Sequence, residues 1–153
     1  MSEAVGGNDA GARAADARSG ERVVGIVLVS HSAAVAASVA ELALGLAAGG
    51  APAPIAAAGG TEGGGLGTSS ELISVAAARV DRGAGVAVLT DLGSAVLTVK
   101  ALLAEGDELP EATRLVDAPF VEGAIAALVT ASTGADLDAV ATAATEAYDY
   151  RKV

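Results

Sequence analysis

His31 is the only histidine in 153 residues. It lies in Leu28-Val29-Ser30-His31-Ser32, directly after the apolar run Val23–Val29 and before an Ala/Val-rich stretch. An imidazole changes charge near physiological pH, and its neutral form carries a nucleophilic lone pair, so acid/base and nucleophilic chemistry are both open to it. Asp91 closes a second apolar run, Gly85–Thr90, and is followed by Leu92, Gly93 and Ser94. A carboxylate that accepts the Nδ1 proton of an imidazole fixes the tautomer and leaves Nε2 as the reactive nitrogen. Asp is also a favoured helix cap, so the two roles of Asp91 stand side by side at this stage. Gly93 and Ser94 open a helix, where backbone N–H groups receive anions. The segment Gly59-Gly60-Thr61-Glu62-Gly63-Gly64-Gly65-Leu66-Gly67 could cradle an oxyanion, with the Thr68 hydroxyl beside it, or serve as a flexible connection.

These residues must be positioned by the elements around them. Val23–Val29, Pro54–Ala58, Gly85–Asp91 and the short Thr113–Val116 read as strands, alternating with helices over 34–48, from a Thr68 or Ser69 cap to about Arg82, over 93–103, 119–132 and 137–149. Strands that alternate with helices predict an α/β fold. It is a three-layer sandwich with a mostly parallel central sheet and helices on both faces. In such a sheet the turns after the first three strands emerge at one edge, where ligands and chemistry collect. Convergence at that edge predicts that His31, Asp91 and Ser94 share a pocket. Glu105, Asp107, Glu108 and Glu111 read as a solvated connection, Glu122 as a favourable charge at a helix start, and Tyr148 to Lys152 as a fraying terminus.

Composition excludes several classes. A formal charge of −10 with only nine Lys and Arg is unsuited to the phosphate backbone of nucleic acids. Without Cys there is neither a disulfide nor a thiolate metal site, and a single His makes an imidazole metal site an unsupported expectation. The longest apolar stretch, 33–48, is too short for a membrane span and is broken by Ser38 and Glu41. Residues 1–22 lack the apolar core of a secretory signal and read as a disordered leader, with one domain over 23–153. No Gly-Lys-Ser/Thr follows the glycine-rich segment, so it is no P-loop, and no bound cofactor is expected. The balance is compatible with a cytoplasmic protein, and an acidic surface suits a basic protein partner.

With these residues in place, the chain resembles the phosphotransferase-system IIA domain of the phosphotransfer subunit of bacterial dihydroxyacetone kinase, and more distantly the mannose-type IIA domains. The motifs are Val27-Leu28-Val29-Ser30-His31-Ser32, Gly67-Thr68, Leu89-Thr90-Asp91-Leu92-Gly93-Ser94-Ala95 and Ala118-Pro119-Phe120-Val121-Glu122-Gly123-Ala124, over residues 23–148. The resemblance implies a homodimeric phosphohistidine carrier. His31 would accept a phosphoryl group from phospho-HPr at Nε2, and Asp91 would orient it. Ser32, Thr68, Gly93 and Ser94 are assigned to the phosphoryl oxygens by their place in the loops. The group would pass to ADP on the nucleotide-binding subunit of the kinase, which serves the dihydroxyacetone-binding subunit. Some relatives continue into fused HPr and enzyme I-like domains, so this chain is expected to draw on separate carriers. Two alternatives accompany this reading: the IIA component of a mannose-type sugar transporter, and a non-enzymatic module that senses a small anion.

Overall fold

The protein is described by a computed structural model covering residues 22–47 and 49–153. The expected leader, residues 1–22, lies outside the described residues apart from Arg22. Among the described residues four strands are present: β1 (Gly25–Ser30), β2 (Ile55–Gly59), β3 (Val86–Thr90) and β4 (Thr113–Leu115). Five helices accompany them: α1 (Ala33–Leu46), α2 (Ser70–Val80), α3 (Gly93–Glu105), α4 (Phe120–Ser132) and α5 (Leu137–Glu146). A 3-10 turn, Ala147–Asp149, follows α5. Every strand pairing is parallel, in the order β2-β1-β3-β4. The expected three-layer α/β architecture is therefore present, and its sheet is parallel throughout.

The period-2 alternation of side chains explains both layers. Ile26 and Leu28 of β1, with Ala87 and Leu89 of β3, pack against α1, α4 and α5. Val27 and Val29, with Val86 and Val88, face α2 and α3 on the other side. All six residues of β1 are buried, which is why the strand reads as a continuous apolar run rather than an alternating one. Small residues hold the layers close. Ala36, Ala43, Ala77, Ala95, Ala127 and Ala144 are fully buried at the helix–sheet and helix–helix contacts.

The strand order fixes where a site can form. From β1 the chain crosses by α1 to β2 on one side, then returns by α2 to β3 on the other side of β1. The carboxyl ends of β1 and β3 are thus neighbours at a topological switch point, where open parallel sheets leave a crevice. Val29 of β1 is in register with Thr90 of β3, so the residues that follow, Ser30-His31 and Asp91, leave the sheet together.

Element ends differ from expectation by a few residues. Of the two expected caps for α2, Thr68 and Ser69, it is Ser69 that serves, its hydroxyl accepting from the Leu72 N–H at 3.1 Å. The helix expected to reach Arg82 stops at Val80, and Gly83 takes a positive φ of 85° three residues later. The carboxyl terminus is tied back rather than frayed. The Tyr148 hydroxyl donates to Asp117 Oδ1 at 2.7 Å, and Lys152 pairs with Glu122.

Gly59, the last residue of β2, is required by close approach. A Cβ there would lie 2.4 Å from the Ser32 carbonyl oxygen and 2.7 Å from Ala33 Cα, both backbone atoms of the His31 turn. Gly59→Ala should therefore cost about 1–3 kcal/mol in urea unfolding, the range for overfilled cores. Gly63→Ala, where a Cβ meets nothing within 4 Å, should leave stability near wild type.

Candidate active site

Asp91 is the centre of the site. Its Oδ2 accepts from the Ser30 hydroxyl at 2.9 Å and from the His31 backbone N–H at 3.0 Å. Its Oδ1 lies 3.0 Å from His31 Nδ1 and accepts from the Leu92 N–H at 2.7 Å. Burial raises the carboxyl pKa, but the bonds from the His31 amide, Ser30, the His31 ring and Leu92 together outweigh it and hold the group below its ordinary value. An ionised Asp91 requires the proton on Nδ1, so Nε2 carries the lone pair. Asp91 does not cap α3. The cap residue is Leu92, which has no side-chain oxygen to offer.

The opposite side of the ring meets α3. His31 Nε2 is hydrogen-bonded to Ser94 Oγ, and with Nε2 as the acceptor the serine hydroxyl is the donor. The first amides of a helix have no intrahelical acceptor. The helices α1, α2 and α5 each engage a capping oxygen there, from Ser32, Ser69 and Asp136. The start of α3, by contrast, is left open beside the imidazole at Gly93 and Ser94, where backbone amides and the positive end of the helix dipole favour an anion. The imidazole is partly open to solvent, with 24% of its side chain exposed against 17% for Asp91.

Ser30 is a positioning residue that the choice of candidate residues passed over. It is fully buried, its hydroxyl donates to Asp91, and the same oxygen accepts from the Ser32 N–H at 3.1 Å. A serine ending an otherwise apolar buried strand is the signal that could have found it. The candidate phosphate ligands divide. Ser94 meets Nε2 through its hydroxyl, and Gly93 precedes it as the first residue of α3. The Ser32 hydroxyl is engaged as the cap of α1, accepting from the Val35 N–H at 3.2 Å. The Thr68 hydroxyl lies 2.9 Å from that of Thr98, on α3.

The glycine-rich segment is a built wall. The Gly60 N–H donates to the Ser30 carbonyl at 3.1 Å and the Gly67 N–H to the His31 carbonyl at 2.9 Å, clipping both ends of the segment to the His31 turn. Between them Thr61 and Gly65 close a turn. The Thr61 N–H donates to the Gly65 carbonyl at 2.9 Å, and the Gly65 N–H donates to the Thr61 hydroxyl at 3.0 Å.

The family described as the PTS system fructose IIA component matches residues 25–141, from the start of β1 into α5. The chain belongs to this family. It is 36% identical over 108 residues to a Listeria innocua protein named PEP-dependent dihydroxyacetone kinase 2, phosphoryl donor subunit DhaM, covering 70% of this chain and 85% of the relative. It is 36% identical over 121 residues to the phosphoryl donor subunit DhaM of the Escherichia coli PEP-dependent dihydroxyacetone kinase. That match covers 77% of this chain, which spans only 25% of the length of the relative. A crystal structure of EF1359, described as a protein of unknown function, superposes with a TM-score of 0.70 at 31% identity, covering 81% of this chain and 94% of that one. Among the described residues of this IIA-family chain, no helix is long and apolar enough to cross a membrane.

Ser30→Ala leaves a partly buried carboxylate oxygen short of a donor and the Ser32 N–H short of an acceptor, and should cost about 1–3 kcal/mol. The pH dependence has a defined sign. A carboxyl whose folded pKa is lowered contributes stability above its unfolded pKa and loses it as pH falls through the folded value. Asp91→Asn should therefore be less stable than wild type at pH 7, and the gap should close in acid below the ordinary carboxylate range. Urea titrations at both pH values measure it.

Proposed function

We propose that residues 23–153 form a histidyl phosphocarrier of PEP-dependent dihydroxyacetone kinase, with His31 as the phosphoryl acceptor. The observation that carries this reading is the division of labour across one imidazole: Nδ1 bound to Asp91 and Nε2 directed at Ser94 and the open start of α3. The naming of relatives as phosphoryl donor subunits supports the kinase assignment.

The proposed transfer balances without a proton leaving the ring. The Nε2 lone pair attacks phosphorus as the bond to the donor phosphohistidine breaks and returns its electrons to the donor ring. Nδ1 keeps its hydrogen and donates it to Asp91, whose negative charge offsets the positive charge that N–P bond formation places on the His31 imidazole. The Ser94 hydroxyl loses its acceptor when Nε2 is phosphorylated, and one rotation lets it donate to a phosphoryl oxygen. In the second transfer an ADP β-phosphate oxygen attacks, the N–P bond breaks, and Nε2 recovers its lone pair. Phospho-HPr is the proposed donor. The nucleotide-binding subunit holds the ADP, and the ATP formed serves the dihydroxyacetone-binding subunit.

The surface around His31 suits transfer between proteins. Leu66 (82% exposed), Leu97 (68%) and Leu92 (62%) project from the glycine-rich segment, from α3 one turn beyond Ser94, and from the residue after Asp91. Apolar side chains contribute nothing to phosphate binding, and exposed apolar clusters mark contact surfaces. The homodimer belongs to the same proposal, and light scattering tests it.

Incubation with phosphoenolpyruvate, enzyme I and HPr should add one acid-labile phosphate to the wild-type chain and none to a folded His31→Ala variant. Phosphate retained by that variant would falsify the assignment. Acceptance of the phosphate by a sugar-transporter IIB protein, rather than by ADP on a kinase subunit, would move the chain to the mannose branch. Leu66→Ser with Leu97→Ser should raise KM for phospho-HPr about tenfold, since burying each leucine is worth about 1.5–3 kcal/mol and only part of that is lost on substitution.

A further inference from the structure

We propose that Thr98 is a positioning residue for His31: its hydroxyl latches the glycine-rich segment to α3 and holds Ser94 against Nε2. The inference rests on the reading of His31 as phosphoryl acceptor and assigns two residues on which that reading is silent or different.

Thr98 Oγ1 donates to the Ser94 carbonyl at 3.2 Å. Threonines inside helices commonly make this bond to the carbonyl four residues back, so alone it would carry no role. Thr98 has a second partner, Thr68 Oγ1 at 2.9 Å, from a different part of the chain. A hydroxyl has one hydrogen. Because Thr98 commits its own to Ser94, Thr68 must be the donor in the pair. The result is a directed chain from the Thr68 hydroxyl to Thr98 and from Thr98 to the Ser94 carbonyl. The side chain of Ser94 then meets His31 Nε2.

The latch closes a ring of contacts. Gly67, next to Thr68, donates to the His31 carbonyl, so the glycine-rich segment is bound to the acceptor residue on one side and to α3 on the other. Ser94 is thereby held from two directions, by its imidazole contact and through its own carbonyl. Thr68 acts through Thr98 rather than on the phosphoryl oxygens. Misplacing a group that must meet the reacting atom is costly even for small displacements.

Thr98→Val keeps the shape and removes the hydroxyl, and Thr98→Ser restores the hydroxyl. Steady-state transfer from phospho-HPr should show kcat lowered about three- to tenfold in Thr98→Val, the effect of about one hydrogen bond. KM for phospho-HPr and the thermal midpoint should stay near wild type, and Thr98→Ser should recover the rate. Thr68→Val should lower kcat similarly, and the double variant should be no slower than either single one, because both break the same latch. Wild-type kcat in Thr98→Val, or a loss seen only in KM or in the thermal midpoint, would overturn the proposal.

A second readout needs no phosphoryl transfer. The 15N resonance of His31 Nε2 in the unphosphorylated chain should move in Thr98→Val and return in Thr98→Ser. A resonance unmoved in Thr98→Val overturns the latch. A wild-type chain that takes no phosphate overturns the carrier reading instead, and the resonance still decides the latch.

Discussion

One carboxylate with four donors organises this protein. Asp91 stands at the carboxyl end of β3 and accepts from Ser30, twice from His31 and from Leu92. The buried, parallel β1–β3 pair is the scaffold this arrangement needs, because it brings two strand ends out side by side. No Lys or Arg supplies these bonds; two backbone amides, a hydroxyl and the imidazole do. In the proposed transfer, that leaves the negative charge of Asp91 available to the imidazole, which would need it when a phosphoryl group arrived and the ring became cationic. An arginine in place of these donors would bind the carboxylate more tightly and would also attract phosphate directly.

The absence of cationic side chains from residues 30–32, 59–68 and 91–95 bears on the carrier role. A carrier accepts and releases the same group, so a phosphate held too strongly halts the second transfer. Backbone amides at the start of α3, with one serine hydroxyl, give oriented but modest anion stabilisation. Phosphoryl transfer depends mainly on positioning and charge stabilisation. The glycine-rich wall, clipped to Ser30 and His31, supplies positioning without adding charge.

Much of this architecture was legible in the sequence because continuous apolar runs and glycine punctuation are local signals. Val23–Val29 and Gly85–Asp91 located the two strands that matter to within about two residues, and Gly93 marked the start of α3. Parallel order placed the turns at one edge, and with them His31, Asp91 and Ser94. What escaped was the direction of individual hydroxyls. Ser32 and Thr68 sit beside the site by sequence, yet their oxygens cap α1 and meet Thr98. Ser30 reads as a flanking residue, yet its oxygen links Asp91 to the turn. Such choices depend on which donor is nearest after packing, and no periodicity encodes them. Thr98 looked like an ordinary helix residue because its partner is 30 positions away. The terminus misled for a similar reason: Tyr148 and Lys152 are polar, but their partners Asp117 and Glu122 lie before and on α4.

The surface combines a formal charge of −10 with a small apolar rim of Leu66, Leu92 and Leu97. The two features act on different parts of an encounter. Long-range charge speeds the approach of a basic partner and weakens with salt, while contact apolar area sets how long the partner stays. A carrier must meet a donor, release it and meet an acceptor at the same imidazole. In the proposed carrier, the exposed Leu66, Leu92 and Leu97 would form a small contact, and small interfaces are the ones that exchange quickly. A larger apolar face would lengthen the first complex and block Nε2 from the second. For the proposed carrier, fast exchange and a weakly held phosphate would be the same requirement, met once by the rim and once by the donors around His31.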